Sequence, residues 1–207
     1  MATLVLIQKR KECARRRELY EKKREHQMFV KDVLSSWDKG GSGTLTFQEV
    51  SQWLSSIAQG QPATEDEIKW VIVMANQQKT NNFENASIAP EDFSRAIEAW
   101  MSYRECKLEI DDIFKKYDLD SSGSLDKVQL KNLLGELNDG EMPNDEEVEW
   151  VFQHADVIGN GVITKPELAK AISVWYVHVA ELEEQRMNEQ EVVKPRGMCS
   201  AGPCSIQ

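Results

Sequence analysis

Long apolar runs are missing from this 207-residue chain. No window approaches the ~20 consecutive apolar residues that a membrane-spanning helix needs. The opening Leu4-Val5-Leu6-Ile7 is too short for a signal peptide, so neither a leader nor a membrane span is expected. Cysteine is scarce. Cys13, Cys106, Cys199 and Cys204 are scattered without metal-type spacing, which excludes a disulfide framework and points to a reducing, intracellular compartment. Histidine is scarcer still, and His26, His154 and His178 fall on separate predicted helices, which argues against a zinc cluster. There is no phosphate-cradling glycine loop, nucleophile elbow or paired Cys/His motif, so no enzymatic activity is expected.

Basic residues are in short supply too, except in one place. The net charge is −10, yet residues 1–30 hold nine Lys/Arg against four Glu, leaving a strongly acidic body. Such a body suits cation binding, and the basic segment is a separate device. Neither Gly nor Pro occurs from Arg10 to Trp37 or from Glu91 to Tyr117. Both stretches read as long helices. The first is charged all round until an apolar stripe begins at Val30, Val33, Leu34 and Trp37. In the second, apolar clusters at the two ends flank a polar middle, Arg104-Glu105-Cys106-Lys107, the pattern of a helix bridging two lobes.

The most informative stretch is Asp118-Leu119-Asp120-Ser121-Ser122-Gly123-Ser124-Leu125-Asp126. Oxygen-bearing side chains alternate along it, a glycine permits the sharp bend, and an apolar residue follows two places later. A hard cation requires that arrangement. Adding 80 to the residues around Asp38 reproduces the same landscape. Val30, Val33, Leu34 and Trp37 become Ile110, Ile113, Phe114 and Tyr117, and the Thr64 capping box becomes one at Asn144. Within each half a further repeat of 38 residues relates Asp38 to Asn76 and Asp118 to Asp156. The second of these four loops, Asn76 to Asp92, has gained five residues and is poor in carboxylate. The chain is an internal duplication.

These loops and their flanking helices resemble the EF-hand calcium loop, and the arrangement looks like the two-lobed calmodulin and troponin C kind over about Met28 to Met187. The resemblance implies an all-α fold of four helix–loop–helix units. An N-terminal pair over 28–103 and a C-terminal pair over 104–187 would be joined by the long central helix, with a basic helix at 1–27 and a tail at 188–207. It further implies Ca2+ ligands. In the third loop these are Asp118, Asp120, Ser122, Asp126 and the Ser124 carbonyl, closed by Gln129 where the family has a bidentate Glu. In the first they are Asp38, Ser42, Thr46, Glu49 and the Thr44 carbonyl, with Gly40 leaving the third position empty. In the fourth they are Asp156, Asn160, Glu167 and the Val162 carbonyl, with Ile158 at the third position. The second is expected to be structural. The paired loops are expected to meet through Leu45, Ile88, Leu125 and Ile163. Function follows as an expectation: a calcium-responsive adaptor or regulatory subunit that takes an amphipathic helix of a protein partner in an apolar groove. The alternatives are a calcium-independent structural protein with degenerate hands and, less favoured, a passive buffer.

The two ends add separate signals. Cys204-Ser205-Ile206-Gln207 resembles a prenylation box, with Cys199 near enough for a second lipid. The expected location is therefore cytoplasmic, peripheral to a membrane where the lipid is attached. The basic helix has three readings: a salt-bridged solvated helix, a surface for a polyanionic or anionic-lipid partner, and an IQ-like segment starting at Ile7-Gln8 but broken by Glu12. Nucleic acid is not expected, since Tyr20 alone gives no basic–aromatic face.

Overall fold

The computed structural model describes residues 2–58, 61–80 and 82–193, and the expected all-α class is what it has. Helix α1 spans Ala2–Trp37, followed by strand β1 (Leu45–Thr46) and helix α2 (Phe47–Ile57). Helix α3 (Glu65–Asn76) leads to β2 (Ser87–Ile88) and a 3-10 turn at Pro90–Asp92. Helix α4 (Phe93–Tyr117) is the central helix, and β3 (Ser124–Leu125), α5 (Lys127–Leu137), α6 (Asp145–Ala155), β4 (Ile163–Thr164) and α7 (Lys165–Val193) repeat the first half. The strands are minimal. Antiparallel pairing sets Leu45 opposite Ile88 and Leu125 opposite Ile163, as expected from the apolar eighth position of each loop.

All four of those residues are fully buried, so each pair of loops is pinned to its core by backbone bonds and apolar side chains together. The helices start where capping chemistry allows. Thr64 accepts from the Glu67 N–H while Glu67 accepts from the Thr64 N–H, and Asn144 with Glu147 repeats the arrangement. At 25 residues, α4 is about 37 Å long. Its first half buries Phe93, Ala96, Trp100 and Tyr103, and its second half buries Ile110 and Phe114. Trp53 packs against Phe93 with ring centroids 5.7 Å apart. Of the six tryptophans, Trp53, Trp70, Trp100 and Trp175 are buried, whereas Trp37 and Trp150 are half-buried against the core. The two halves also touch one another directly, because α7 packs on α3 as well as on α4 and α6.

The polar middle of α4 is put to use. Buried Glu67 accepts from the Tyr103 hydroxyl at 2.7 Å and from Lys107 Nζ at 2.8 Å on one oxygen, and from the Thr64 N–H at 2.8 Å on the other. Burial pushes the Glu67 carboxyl up, but the Lys107 ammonium, the Thr64 N–H and the Tyr103 hydroxyl together outweigh it and hold it below its ordinary value. A carboxylate held low in the folded state stabilises the fold above its ordinary pKa, and that contribution is lost as pH falls through the folded value. Tyr103→Phe is therefore expected to cost about 1.5–3 kcal/mol at neutral pH, the range for hydrogen bonds to charged groups. Urea melts should show the penalty shrinking in acid, once Glu67 is protonated. A pH-independent penalty would mean that the ring's packing, not the bond, had been lost.

Candidate metal loops

Three of the four loops share one backbone design. The sixth residue of each is glycine in the left-handed region, with φ of 79° at Gly43, 80° at Gly123 and 79° at Gly161, a conformation that side chains resist. The first residue is an aspartate that organises the turn. Asp38 accepts from the N–H groups of Ser42 and Gly43 at 3.0 and 2.8 Å, and Asp118 from Ser122 and Gly123 at 3.0 and 2.9 Å. Asp156 does the same with Asn160 and Gly161 at 3.2 and 2.9 Å. The second loop has no such aspartate. There Asn76 Nδ2 donates to the Ser87 carbonyl at 3.0 Å, and Asp92 is paired with Arg95.

The twelfth position separates the loops. In the first loop Glu49 Oε1 accepts from the Lys39 and Gly40 N–H groups at 2.8 and 3.2 Å, and Oε2 from the Thr46 N–H and hydroxyl at 3.0 and 2.8 Å. In the fourth loop Glu167 Oε1 accepts from Val157 and Ile158 N–H at 2.8 and 2.9 Å, and Oε2 from the Thr164 N–H and hydroxyl at 3.0 and 2.6 Å. A carboxylate has about four lone-pair sites, so both glutamates are saturated by the protein itself. The backbone N–H of Thr46 leads the donors that hold Glu49 below its ordinary pKa. Glu167 has equivalent donors but is fully buried, and that burial pushes it up.

The third loop closes differently. Gln129 Oε1 accepts from the Asp126 N–H at 3.0 Å, while its Nε2 donates to Asp120 Oδ1 at 3.2 Å. The amide thus stands where a cation would, between the third and twelfth positions. Asp120 is held low first by this amide, and further by Ser122. Ser122 donates its hydroxyl to the Ser124 carbonyl at 2.9 Å, and Ser42 does likewise to the Thr44 carbonyl at 2.9 Å. In the fourth loop Asn160 Oδ1 accepts from the Val162 N–H at 3.2 Å.

Calcium fits these donor sets unequally. The first and fourth loops have no third-position ligand and no lone pair left on the closing glutamate. The third keeps three aspartates in one turn, and among the described residues one oxygen each of Asp120 and Asp126 takes no protein donor. No group of three or more His, Cys, Asp or Glu among the described residues is gathered closely enough to hold a metal ion as the loops now stand. Thr164, absent from the ligands expected in the fourth loop although it is the ninth-position counterpart of Thr46 and Asp126, donates its hydroxyl to Glu167. Cys199 and Cys204 lie outside the described residues. No helix among those described is long and apolar enough to cross a membrane.

Residues 107–173 match the EF-hand domain pair family. The EF-hand pair so defined contains the third and fourth loops, α5 and α6, and the adjoining parts of α4 and α7. The likeness to known proteins reaches further along the chain. Caltractin of Naegleria gruberi is 28% identical over 148 residues, covering 70% of this chain and 79% of caltractin. Centrin-3 of Homo sapiens and centrin-3 of Mus musculus are each 26% identical over 153 residues, covering 74% of this chain and 84% of their own. Alignments of 148 and 153 residues are longer than the C-terminal half, so they include part of the N-terminal half as well.

Proposed function

We propose that this chain is a calcium-binding EF-hand regulatory protein in which calcium is read by the third loop alone. One observation carries the reading: of the three loops that share the backbone design, the third is the one whose closing side chain leaves carboxylate oxygens without a protein donor among the described residues. Asp118, Asp120, Asp126, the Ser122 hydroxyl, the Ser124 main-chain carbonyl and the Gln129 side-chain oxygen would hold the ion. Bound there, it would neutralise three carboxylates that now share one turn. Gln129 ties this loop to the first turn of α5, so exchange of its Asp120 partner is what couples the loop to the helix. The output is an adaptor role, with an amphipathic helix of a protein partner as the target. Met101, Leu108, Met142, Tyr176 and Val177 are exposed apolar side chains open to such a target. A lipid on Cys204, with Cys199 beside it, would place that adaptor at a membrane.

Thermal melting in calcium and in chelator tests the reading. Calcium at a hundredfold excess over its dissociation constant should add about 2.7 kcal/mol of stability. Asp120→Ala is expected to abolish the shift and Asp38→Ala to leave it. Superimposable melts with and without calcium would select the second reading, a calcium-independent interaction protein. The saturation of Glu49 and Glu167 favours that alternative.

A further inference from the structure

The five residues gained by the second loop reach the other half of the molecule. Gln77 turns the chain out of α3 in the left-handed conformation, with φ of 54°. Two residues on, Lys79 Nζ donates to the Asp156 carbonyl at 2.8 Å and lies 3.4 Å from the Gln153 carbonyl. Asp156 is the C-cap of α6 and the first residue of the fourth loop. The last carbonyls of a helix carry the negative end of its dipole, so an ammonium is favourable there. It is also a charge delivered from 77 residues away onto a loop that has no third-position ligand. Lys170 on α7 feels it, being pushed down by burial and then by the charge of Lys79, while Glu167 acts the opposite way. The same two halves meet where α3 packs on α7.

We propose that the inserted segment is an interlobe latch. Lys79 clips the N-terminal half onto the α6 end and fourth loop of the C-terminal half, and so keeps α3 docked on α7 without any metal. The long α4 helix joins the halves but leaves their docking to side contacts of this kind. A partner that enters between α3 and α7 must first displace Lys79. The latch is independent of how the third loop responds to calcium, and it is tested in chelator, so its failure and that of the calcium reading are separable.

The test is amide hydrogen exchange on the full chain in chelator, which reads a change in opening even when the open form is rare. Lys79→Ala is expected to speed exchange of α3 and α7 amides about two- to fivefold, the weight of one charge at a helix end. Lys79→Glu, which puts a carboxylate against the carbonyls, should do so on the order of tenfold. Lys79→Arg should exchange like the wild type, and Lys22→Ala, which removes an exposed surface partner of Glu18 on α1, should also be silent. Unchanged exchange on α3 and α7 in the glutamate variant would overturn the latch. So would an acceleration confined to the last turn of α6, which would reduce Lys79 to a local helix cap.

Discussion

Replacing Glu167 with alanine is expected to lower stability by on the order of 3–5 kcal/mol in the presence of chelator, when no metal can be involved. The carboxylate is fully buried and accepts from three backbone N–H groups and one hydroxyl. Each buried donor left without an acceptor costs about 1–3 kcal/mol, and water entering the vacated space returns part of that sum. For a chain of this size the melting temperature should fall by roughly 10 °C, at about 2–4 °C per kcal/mol. Glu167→Gln should fall between wild type and alanine. One amide oxygen can still serve two donors, but the NH2 then faces N–H groups that need an acceptor. Glu49→Ala should cost less, because Glu49 is 8% exposed and water can reach its donors. Equal melts for Glu167→Ala and wild type in chelator would show that the fourth loop is not held by its own glutamate. A loss appearing only when calcium is present would mean that the residue serves a metal first.

The duplication made most of the fold legible. Offsets of 80 and 38 residues placed the helix ends that flank the loops to within a few residues, because the same capping residues and apolar stripes recur at each copy. The outer ends of α1 and α7, which have no copy, run further than the stretch from Arg10 and the end near Asn188 suggested. Leu45, Ile88, Leu125 and Ile163 could be paired in advance, since an apolar eighth position has only its partner loop to bury against. The closure of the loops was harder to see. Ligand spacing treats the twelfth residue as a donor to a cation, whereas here it completes the loop's own hydrogen bonds. The pairing of third and twelfth positions carried that information all along. Glu49 goes with Gly40 and Glu167 with Ile158, so the carboxylate is free to collect backbone N–H groups. Gln129 goes with Asp120, which needs a donor, and an amide supplies one. Lys79 had no signal at all beyond lying in an inserted segment. Its partners are main-chain carbonyls 74 and 77 residues away, and carbonyls leave no trace in a sequence.

That pairing makes Gln129→Glu the substitution with the largest expected gain in metal affinity. In chelator the new carboxylate would lose the bond from Nε2 to Asp120 and face Asp120 as a like charge, so the metal-free protein should melt lower than wild type. In calcium the same carboxylate adds a charged ligand. Two unit charges about 4 Å apart interact by roughly 4 kcal/mol at the effective dielectric of a protein surface, and salt and desolvation remove part of it. Affinity should therefore rise by about ten- to a hundredfold, at 1.4 kcal/mol for each factor of ten. Titration calorimetry reads this directly, and an unchanged dissociation constant would remove the third loop from consideration as the calcium site. The double variant Asp120→Gly, Gln129→Glu sharpens the result. It gives the third loop the composition of the first at both positions, so the new glutamate can fold onto the N–H groups of residues 119 and 120 as Glu49 does onto those of 39 and 40. Its expected behaviour is the reverse of the single variant: stability restored in chelator, and no gain in calcium affinity. Third and twelfth positions then act as one unit, in which an aspartate at the third leaves the loop open to a cation and its absence lets the loop close on itself.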